Sequence, residues 1–551
     1  MLQMEALTIL IIEPHAGMRA SLRDILKQAG MIKIDFAAGA SAAIRAFKNR
    51  AYDMVMCEYD LGEGQDGQQL LEDLRHHKLI SLSTVFFMVT AERAYEKVVS
   101  AAELAPTDYL LKPFAADTLL IRVVRAVERR NTFLPVYQLM ELGNLRDAIA
   151  GCIEGVTNNS RHKVDFMRLR AELHVALGEP VEAEQVYTQL LATRAVAWAR
   201  LGLAKSLYLQ GRFTEAESNL QALVTENCKF LDAYDWLAKT HEAIGQLELA
   251  KAVLQDAVIV SPHAIRRLRK LGEIALKTGD INTAESSLRQ VVNKARYSDF
   301  RDPEDHTRLV QSLLKKGDAV QANAVIRDLD KSMGGLNKTA VCRAISNAMV
   351  FSHTGDAARA AQALGEAVSA CRDSIGMSSD LKIELVRSCL EGNLEDAASE
   401  VMLDVMRNAP SGPVMARAMR IFEQAGRKEI AEKLVQDSRR QVIELVAAGA
   451  EKAKQGDYSG AVTFMLEAVD KLPDNPQVVF NAALAALKCL DNLGWEDALG
   501  QQAHTLIERA RILDPANPRL TPLNNLYQDM LKKYGIRPGR STDVSAPIAS
   551  N

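Results

Sequence analysis

Aromatic residues are scarce in this 551-residue chain, at 5% against 48% apolar residues overall. A core with so little aromatic volume must be built largely from Ala, Leu, Val and Ile, which favours stacked helices. An excess of charge of one sign is also missing. The formal net charge is −3, which leaves no electrostatic footprint for nucleic acid or an anionic membrane. Nowhere do about 18 uncharged apolar residues follow one another, and the stretch from Met1 to Ala6 lacks the basic region, apolar run and small-residue site of a secretory leader. The seven cysteines, Cys57, Cys152, Cys228, Cys342, Cys371, Cys389 and Cys489, never fall in C-x-x-C spacing. They read as reduced core residues, not as disulfides or metal ligands. A cytoplasmic chain without membrane insertion is expected.

Catalytic signatures are absent as well. There is no Walker-type phosphate loop, no H-E-x-x-H, no G-x-S-x-G and no transmitter-kinase signature. The adjacent His76 and His77 read as solvated residues at a helix end, and no basic recognition helix stands out. A non-enzymatic chain that does not bind nucleic acid is expected. Its length is too great for one core, so several domains or a repeat array are required.

In the first 130 residues, apolar runs of strand length recur at Leu7–Ile12, Ile32–Phe36, Met54–Cys57, Val85–Val89 and Tyr109–Leu111. Helix-period segments alternate with them, at Met18–Ala29, Ser41–Lys48, Glu96–Leu104 and Ala116–Arg130. This pattern predicts a doubly wound, five-stranded parallel sheet covered on both faces. Ligands of such sheets bind at the carboxyl ends of the strands. The residues there are Glu13 after the first strand, Glu58 after the third, Thr90-Ala91-Glu92 after the fourth and Lys112-Pro113-Phe114 after the fifth. Acids, one hydroxyl and one lysine therefore converge on one edge.

That set, with Asp66-Gly67 and Tyr109 also in register, resembles the receiver domain of bacterial two-component response regulators over roughly residues 6–130. The resemblance implies that Thr90 and Lys112 bind phosphoryl oxygens, that Tyr109 is coupled to the switch threonine, and that Glu58 stands at the phosphoacceptor position. It also implies a Mg²⁺ site at Glu13, Glu58 and Asp60. Two departures weaken that chemistry. The paired acids of the family are Glu13-Pro14 here, and proline has no side-chain oxygen for a hard octahedral cation. Glu58 is one methylene longer than the aspartate the family uses, which works against in-line phosphoryl transfer. The cofactor expectation is therefore none, or weakly bound Mg²⁺.

Three states of Glu58 remain open. Its carboxylate can pair with Lys112 and imitate a phosphoryl charge, or merely balance Lys112 in a fold kept for docking. Glu58 or the neighbouring Asp60 can also accept phosphate in earnest. Tyr109 is either a coupled switch residue or a half-buried edge aromatic. The face carrying Arg122, Arg125, Arg129 and Arg130 is either solvated or, as the family implies, a surface for homodimerisation.

Beyond residue 135 strand signals vanish and glycine recurs with alanine five residues later. The pairs are Gly143/Ala148, Gly178/Ala183, Gly211/Ala216, Gly245/Ala250, Gly279/Ala284, Gly317/Ala322, Gly355/Ala360, Gly392/Ala397, Gly426/Ala431 and Gly456/Ala461. A period near 34 residues predicts an αα-solenoid. Glycine supplies the left-handed turn and alanine a close helix crossing. Units such as Leu237-Ala238…Gly245…Ala250…Leu254…Ala257…Pro262 resemble tetratricopeptide repeats, about nine to ten in all. The resemblance implies a concave protein-binding surface on the first helix of each unit. Lys205, Lys239, His241, Arg266, Arg267 and Lys270 are its candidates, while Trp198 and Trp236 are expected between helices.

The expected domains are a receiver at 6–130, a helical joint or half-repeat at 131–160, a repeat array at 161–535 and a disordered tail at 536–551. The expected function is a signal-transduction adaptor in which an atypical receiver controls or orients a protein-binding scaffold. The alternative is a conventional phosphorelay regulator with the same output.

Overall fold

The computed structural model describes residues 4–62, 65–77, 79–91, 106–193, 196–297, 301–335, 337–372, 377–408, 412–514 and 517–535. Five short strands, β1 (Thr8–Ile12), β2 (Lys33–Ala37), β3 (Met54–Cys57), β4 (Val85–Thr90) and β5 (Asp108–Leu111), form one parallel sheet in the order β2-β1-β3-β4-β5. Successive side chains of a strand point to opposite faces, so each strand feeds two cores. Ile9, Ile11, Met54, Met56 and Phe87 pack with helices α1 (Ala16–Gln28) and α4 (Ala116–Glu141). Leu10, Ile12, Val55, Phe86 and Met88 pack on the other face with α2 (Ala40–Asn49) and α3 (Gly67–His76). The order of strands reverses between β1 and β3, which places a crevice at their carboxyl ends. The expected helix at Glu96–Leu104 and the tail from Ile536 lie outside the described residues.

Helix α4 continues for 26 residues, through Pro135, well past the sheet. Proline has no amide hydrogen, so the helix runs on with one backbone bond fewer. Its far end is apolar on one side. Phe133 and Val136 pack there with Ala148, Ile149, Cys152 and Phe166 of the helices that follow, and the Phe133 and Phe166 rings lie 4.3 Å apart.

The chain forms two compact units, Met1–Lys316 and Gly317–Asn551. In the first, helices alternate as α5 (Leu145–Asn158), α6 (Lys163–Ala176), α7 (Pro180–Thr193), α8 (Ala197–Leu209), α9 (Phe213–Glu226), α10 (Leu231–Ile244), α11 (Leu247–Val260), α12 (Ile265–Thr278), α13 (Ile281–Lys294) and α14 (Pro303–Lys315). The second, among its described residues, runs from Ala319–Met333 to Leu520–Lys533 and is entirely helical. Its helices at Asn337–His353 and Ala357–Arg372 have 17 and 16 residues, against 14 in α10 to α13, which accounts for the wider glycine spacing there.

Nine of the ten expected turns are made as the pattern requires. Gly143, Gly178, Gly211, Gly245, Gly279, Gly317, Gly355, Gly426 and Gly456 all have positive φ, and the alanine five residues after each is buried. The tenth is displaced. Gly392 has φ −82°, and Asn393 takes the left-handed conformation at φ 56°, which asparagine tolerates better than most residues. The buried crossing residue shifts with it, from Ala397 to Ala398.

The array also departs from two-helix units at Lys428–Lys454, one continuous helix of 27 residues. Only 30 residues separate Gly426 from Gly456, and no glycine or proline interrupts the stretch before Gly449. The second helix of one unit and the first of the next are therefore fused.

Candidate functional site

The predicted residues meet at the carboxyl edge of the sheet. Glu13, Glu58 and Thr90 are buried there, at 1%, 8% and 1% exposure. Lys112, directly after β5, bridges the two acids: its ammonium donates to Glu13 Oε2 at 2.6 Å and to Glu58 Oε2 at 2.5 Å. The remaining oxygens are also engaged. Glu58 Oε1 accepts the amides of Tyr59 at 2.7 Å and Asp60 at 3.3 Å, while Glu13 Oε1 accepts the amide of His15 at 3.0 Å and lies 3.0 Å from its ring Nδ1. The additional methylene of Glu58 thus lets its head fold back over the chain that follows it.

Electrostatics bind this cluster tightly. Burial alone would raise the Glu13 carboxyl, but hydrogen bonds from Lys112 and from the His15 amide hold it below the ordinary carboxylate range. Burial would likewise lower Lys112, and the hydrogen bonds to Glu13 and Glu58 outweigh it and raise the ammonium. Beside them, burial and then the Glu58 charge push the Cys57 thiol far up, so it is no nucleophile.

The donor set as arranged does not fit Mg²⁺. Two of the four carboxylate oxygens hold an ammonium and the other two hold N–H groups, whereas the metal demands near-octahedral oxygens. Pro14 adds none. Asp60 is exposed, and its Oδ1 accepts the amide of Gly62 at 3.0 Å. Among the described residues no three His, Cys, Asp or Glu side chains gather as a metal site.

Tyr109 is half-buried and packs against the sheet face covered by α2 and α3. Asp66 is the N-cap of α3 in a capping box with Gln69. Sequence reading passed over Arg19, whose guanidinium donates to the carbonyls of Glu13 at 2.6 Å and Pro14 at 2.8 Å and so fixes the loop after β1. Nothing in its spacing announces that role.

Also unforeseen is a contact between α3 and the repeats. Gln69 Nε2 donates to the carbonyl of Lys294, in the last turn of α13, at 3.0 Å. One turn further along α3, Glu72 faces Arg266 of α12 at 3.3 Å. Burial raises the Glu72 carboxyl in spite of that guanidinium.

Arg266 is thus engaged within the chain, with its side chain still exposed. Arg267 makes a two-pronged pair with Asp235 at 2.8 Å, and Lys270 pairs with Glu242 at 2.7 Å. His241 is buried against Gln246 at 2.8 Å. Lys205 and Lys239 remain, and among the described residues neither has a carboxylate at ion-pair distance. Trp198 and Trp236 pack between helices, half-buried against their apolar clusters, and also line a cavity of about 410 Å³ beside Lys205.

A parallel sheet in this order, with acids, a hydroxyl and a lysine at its carboxyl edge and paired helices behind it, defines a receiver-type signalling domain joined to a helical repeat scaffold. Comparison with known proteins gives the particulars. Residues 9–124 match the response regulator receiver domain, and residues 168–230 match the tetratricopeptide repeat. Over 121 residues the chain is 28% identical to the chemotaxis protein CheY-3 of Vibrio cholerae, covering 22% of this chain and 92% of that protein. Identity to the chemotaxis protein CheY of Pseudomonas aeruginosa is 26% over 123 residues, covering 22% and 98%. A tetratricopeptide repeat protein from Parabacteroides merdae covers 50% of this chain and 98% of its own at 14% identity, with a TM-score of 0.34. The chain thus carries a receiver domain of the bacterial two-component type followed by tetratricopeptide repeats. No helix among its described residues is long and apolar enough to cross a membrane.

Proposed function

We propose that this protein is a cytoplasmic, non-enzymatic signalling adaptor whose receiver, at 6–130, is held in one state by Glu58 and orients a protein-binding repeat array at 161–535 through a helical joint at 131–160. The observation that carries this reading is the Lys112 ammonium clamped between Glu13 and Glu58. A carboxylate permanently on the lysine puts negative charge where a phosphoryl group would otherwise bring it. Thr90 and Tyr109 supply the switch pair that responds to that charge.

The route outward runs through α3. Glu58 Oε1 holds the amides of Tyr59 and Asp60, and the Gly67 amide at the start of α3 donates to the Tyr59 carbonyl at 2.7 Å. Gly67 sits so close that a Cβ there would lie 2.3 Å from the Glu58 carbonyl oxygen. A change at Glu58 therefore moves the helix whose Gln69 and Glu72 rest on the repeats. Glu58→Gln removes the charge at nearly constant shape, and amide hydrogen exchange of the full chain reads the result. Faster exchange in α3 and in the last turn of α13 is expected; unchanged exchange at both would contradict the coupling. A second reading, conventional phosphorelay, is favoured by the retention of Thr90 and Lys112 and is separated by the phosphorylation assay that closes the Discussion.

A further inference from the structure

In the second unit, a cavity of about 390 Å³ lies where the helices Ala357–Arg372, Ser379–Glu391, Glu395–Asn408 and Tyr458–Lys471 meet. Asn475 closes this corner: its Nδ2 donates to the Arg407 carbonyl at 2.6 Å, across 68 residues of chain, while its Oδ1 caps the helix that follows. Most of the charge in the lining is already matched. Arg372 donates to Glu400 at 2.6 Å, and Lys382 pairs with Asp404 at 2.6 Å. Two neighbouring groups are not matched. Arg407 has no carboxylate at ion-pair distance among the described residues; its Nη1 reaches the neutral Gln441 at 3.4 Å, and its Nε is buried without a hydrogen-bond partner. Asn408 spends its Nδ2 on the Asp404 carbonyl at 3.1 Å and Oδ1 at 2.9 Å, and its own Oδ1 is buried without a partner. A charged donor and a neutral acceptor thus stand unmet on adjacent lining residues, and such groups are costly to leave unmade. At the exposed rim the carboxylates of Asp470 and Asp474 outnumber Lys471, and Val368 and Val401 supply apolar wall.

We propose that this cavity binds a free aliphatic α-amino acid, with its carboxylate on Arg407, its ammonium toward Asn408 Oδ1 and the rim acids, and its side chain against Val368 and Val401. The unmet groups select a zwitterion. A simple anion would satisfy Arg407 but would face the Asn408 oxygen and the carboxylates, whereas a simple cation would leave the guanidinium unanswered. A molecule that carries both charges on neighbouring atoms meets both, and charge-assisted hydrogen bonds are the stronger kind. The volume, at the small end of ligand-sized cavities, suits an amino acid better than a nucleotide. The site goes beyond the adaptor reading, since it gives the repeat array a small-molecule input of its own. It involves no receiver residue, so it can fail while that reading stands.

The test is isothermal titration of the full chain with L-leucine and with its two halves, 4-methylpentanoate, which lacks the amine, and 3-methylbutylamine, which lacks the carboxylate. Leucine is expected to bind saturably, and each half about tenfold or more weakly. This comparison uses the native chain alone and so does not depend on any variant folding. Arg407→Gln and Asn408→Ala, each at unchanged Tm, are expected to weaken leucine by about tenfold as well. No binding of leucine at millimolar concentration would overturn the proposal and leave a cavity filled by water. Binding of either half as tightly as leucine, or undiminished leucine binding by Arg407→Gln, would overturn it too.

Discussion

The protein holds two clusters of lysine and acidic or aromatic groups, and they are built on opposite plans. At the sheet edge, Lys112 has two carboxylates, and all four oxygens of Glu13 and Glu58 are bonded. In the repeats, Lys205 and Lys239 lie over an indole, and among the described residues neither has a carboxylate at ion-pair distance. A fully satisfied buried network fixes one arrangement, because removing any member leaves a charge without a partner. An unsatisfied, partly exposed pair costs little and stays available. The receiver pocket is thus a closed electrostatic unit, whereas the repeat cavity is an open one.

Substituting a lysine in each place separates the two plans. Lys112→Ala leaves two buried carboxylates without their cation and is expected to lower stability by about 3 kcal/mol, the loss typical of a broken buried pair. Lys205→Ala removes no ion pair and only a contact over the Trp236 ring, and its effect should stay at about 1 kcal/mol or less. Urea unfolding of both variants checks this, and losses of similar size would erase the contrast.

The smaller effect concerns pH. The Glu13 carboxyl is lowered in the folded protein, so its contribution is present above the unfolded value of about 4.3 and is lost as pH falls through the lower folded one. Lys112 is raised, so its contribution is complete below about 10.4 and is lost as pH rises through the folded value. Neither Glu13 nor Lys112 therefore changes charge between about pH 6 and 9. Following Lys112 by NMR across that interval should show no titration, and a midpoint within it would mean that the pair is looser than its geometry.

Much of this was legible in the sequence. Strand-length apolar runs led to the sheet, and Glu13, Glu58, Thr90 and Lys112 were placed on one edge by the rule that ligands sit at strand carboxyl ends. The glycine period located the helix turns, because a left-handed residue and a small crossing residue are local requirements that the sequence must state. What stayed hidden was non-local or degenerate. Asn393 took the turn from Gly392 because both residues tolerate positive φ. The fusion at Lys428–Lys454 rested on the absence of a breaker, which a search for glycine and alanine does not register. Gln69 and Glu72 looked like ordinary polar positions on α3, since their partners Lys294 and Arg266 are some two hundred residues away.

The central claim is that Glu58 makes this receiver a fixed element and not a phosphate-operated one. Intact-mass measurement of the full chain after incubation with acetyl phosphate and Mg²⁺ tests it most directly, alongside Pro14→Asp/Glu58→Asp, which restores the oxygen ligand and the shorter acceptor. The native chain is expected to show no added phosphoryl group while the double variant gains one. A gain of one phosphoryl per native chain, abolished by Glu58→Gln or by loss of Asp60, would contradict the account and establish the phosphorelay reading in its place.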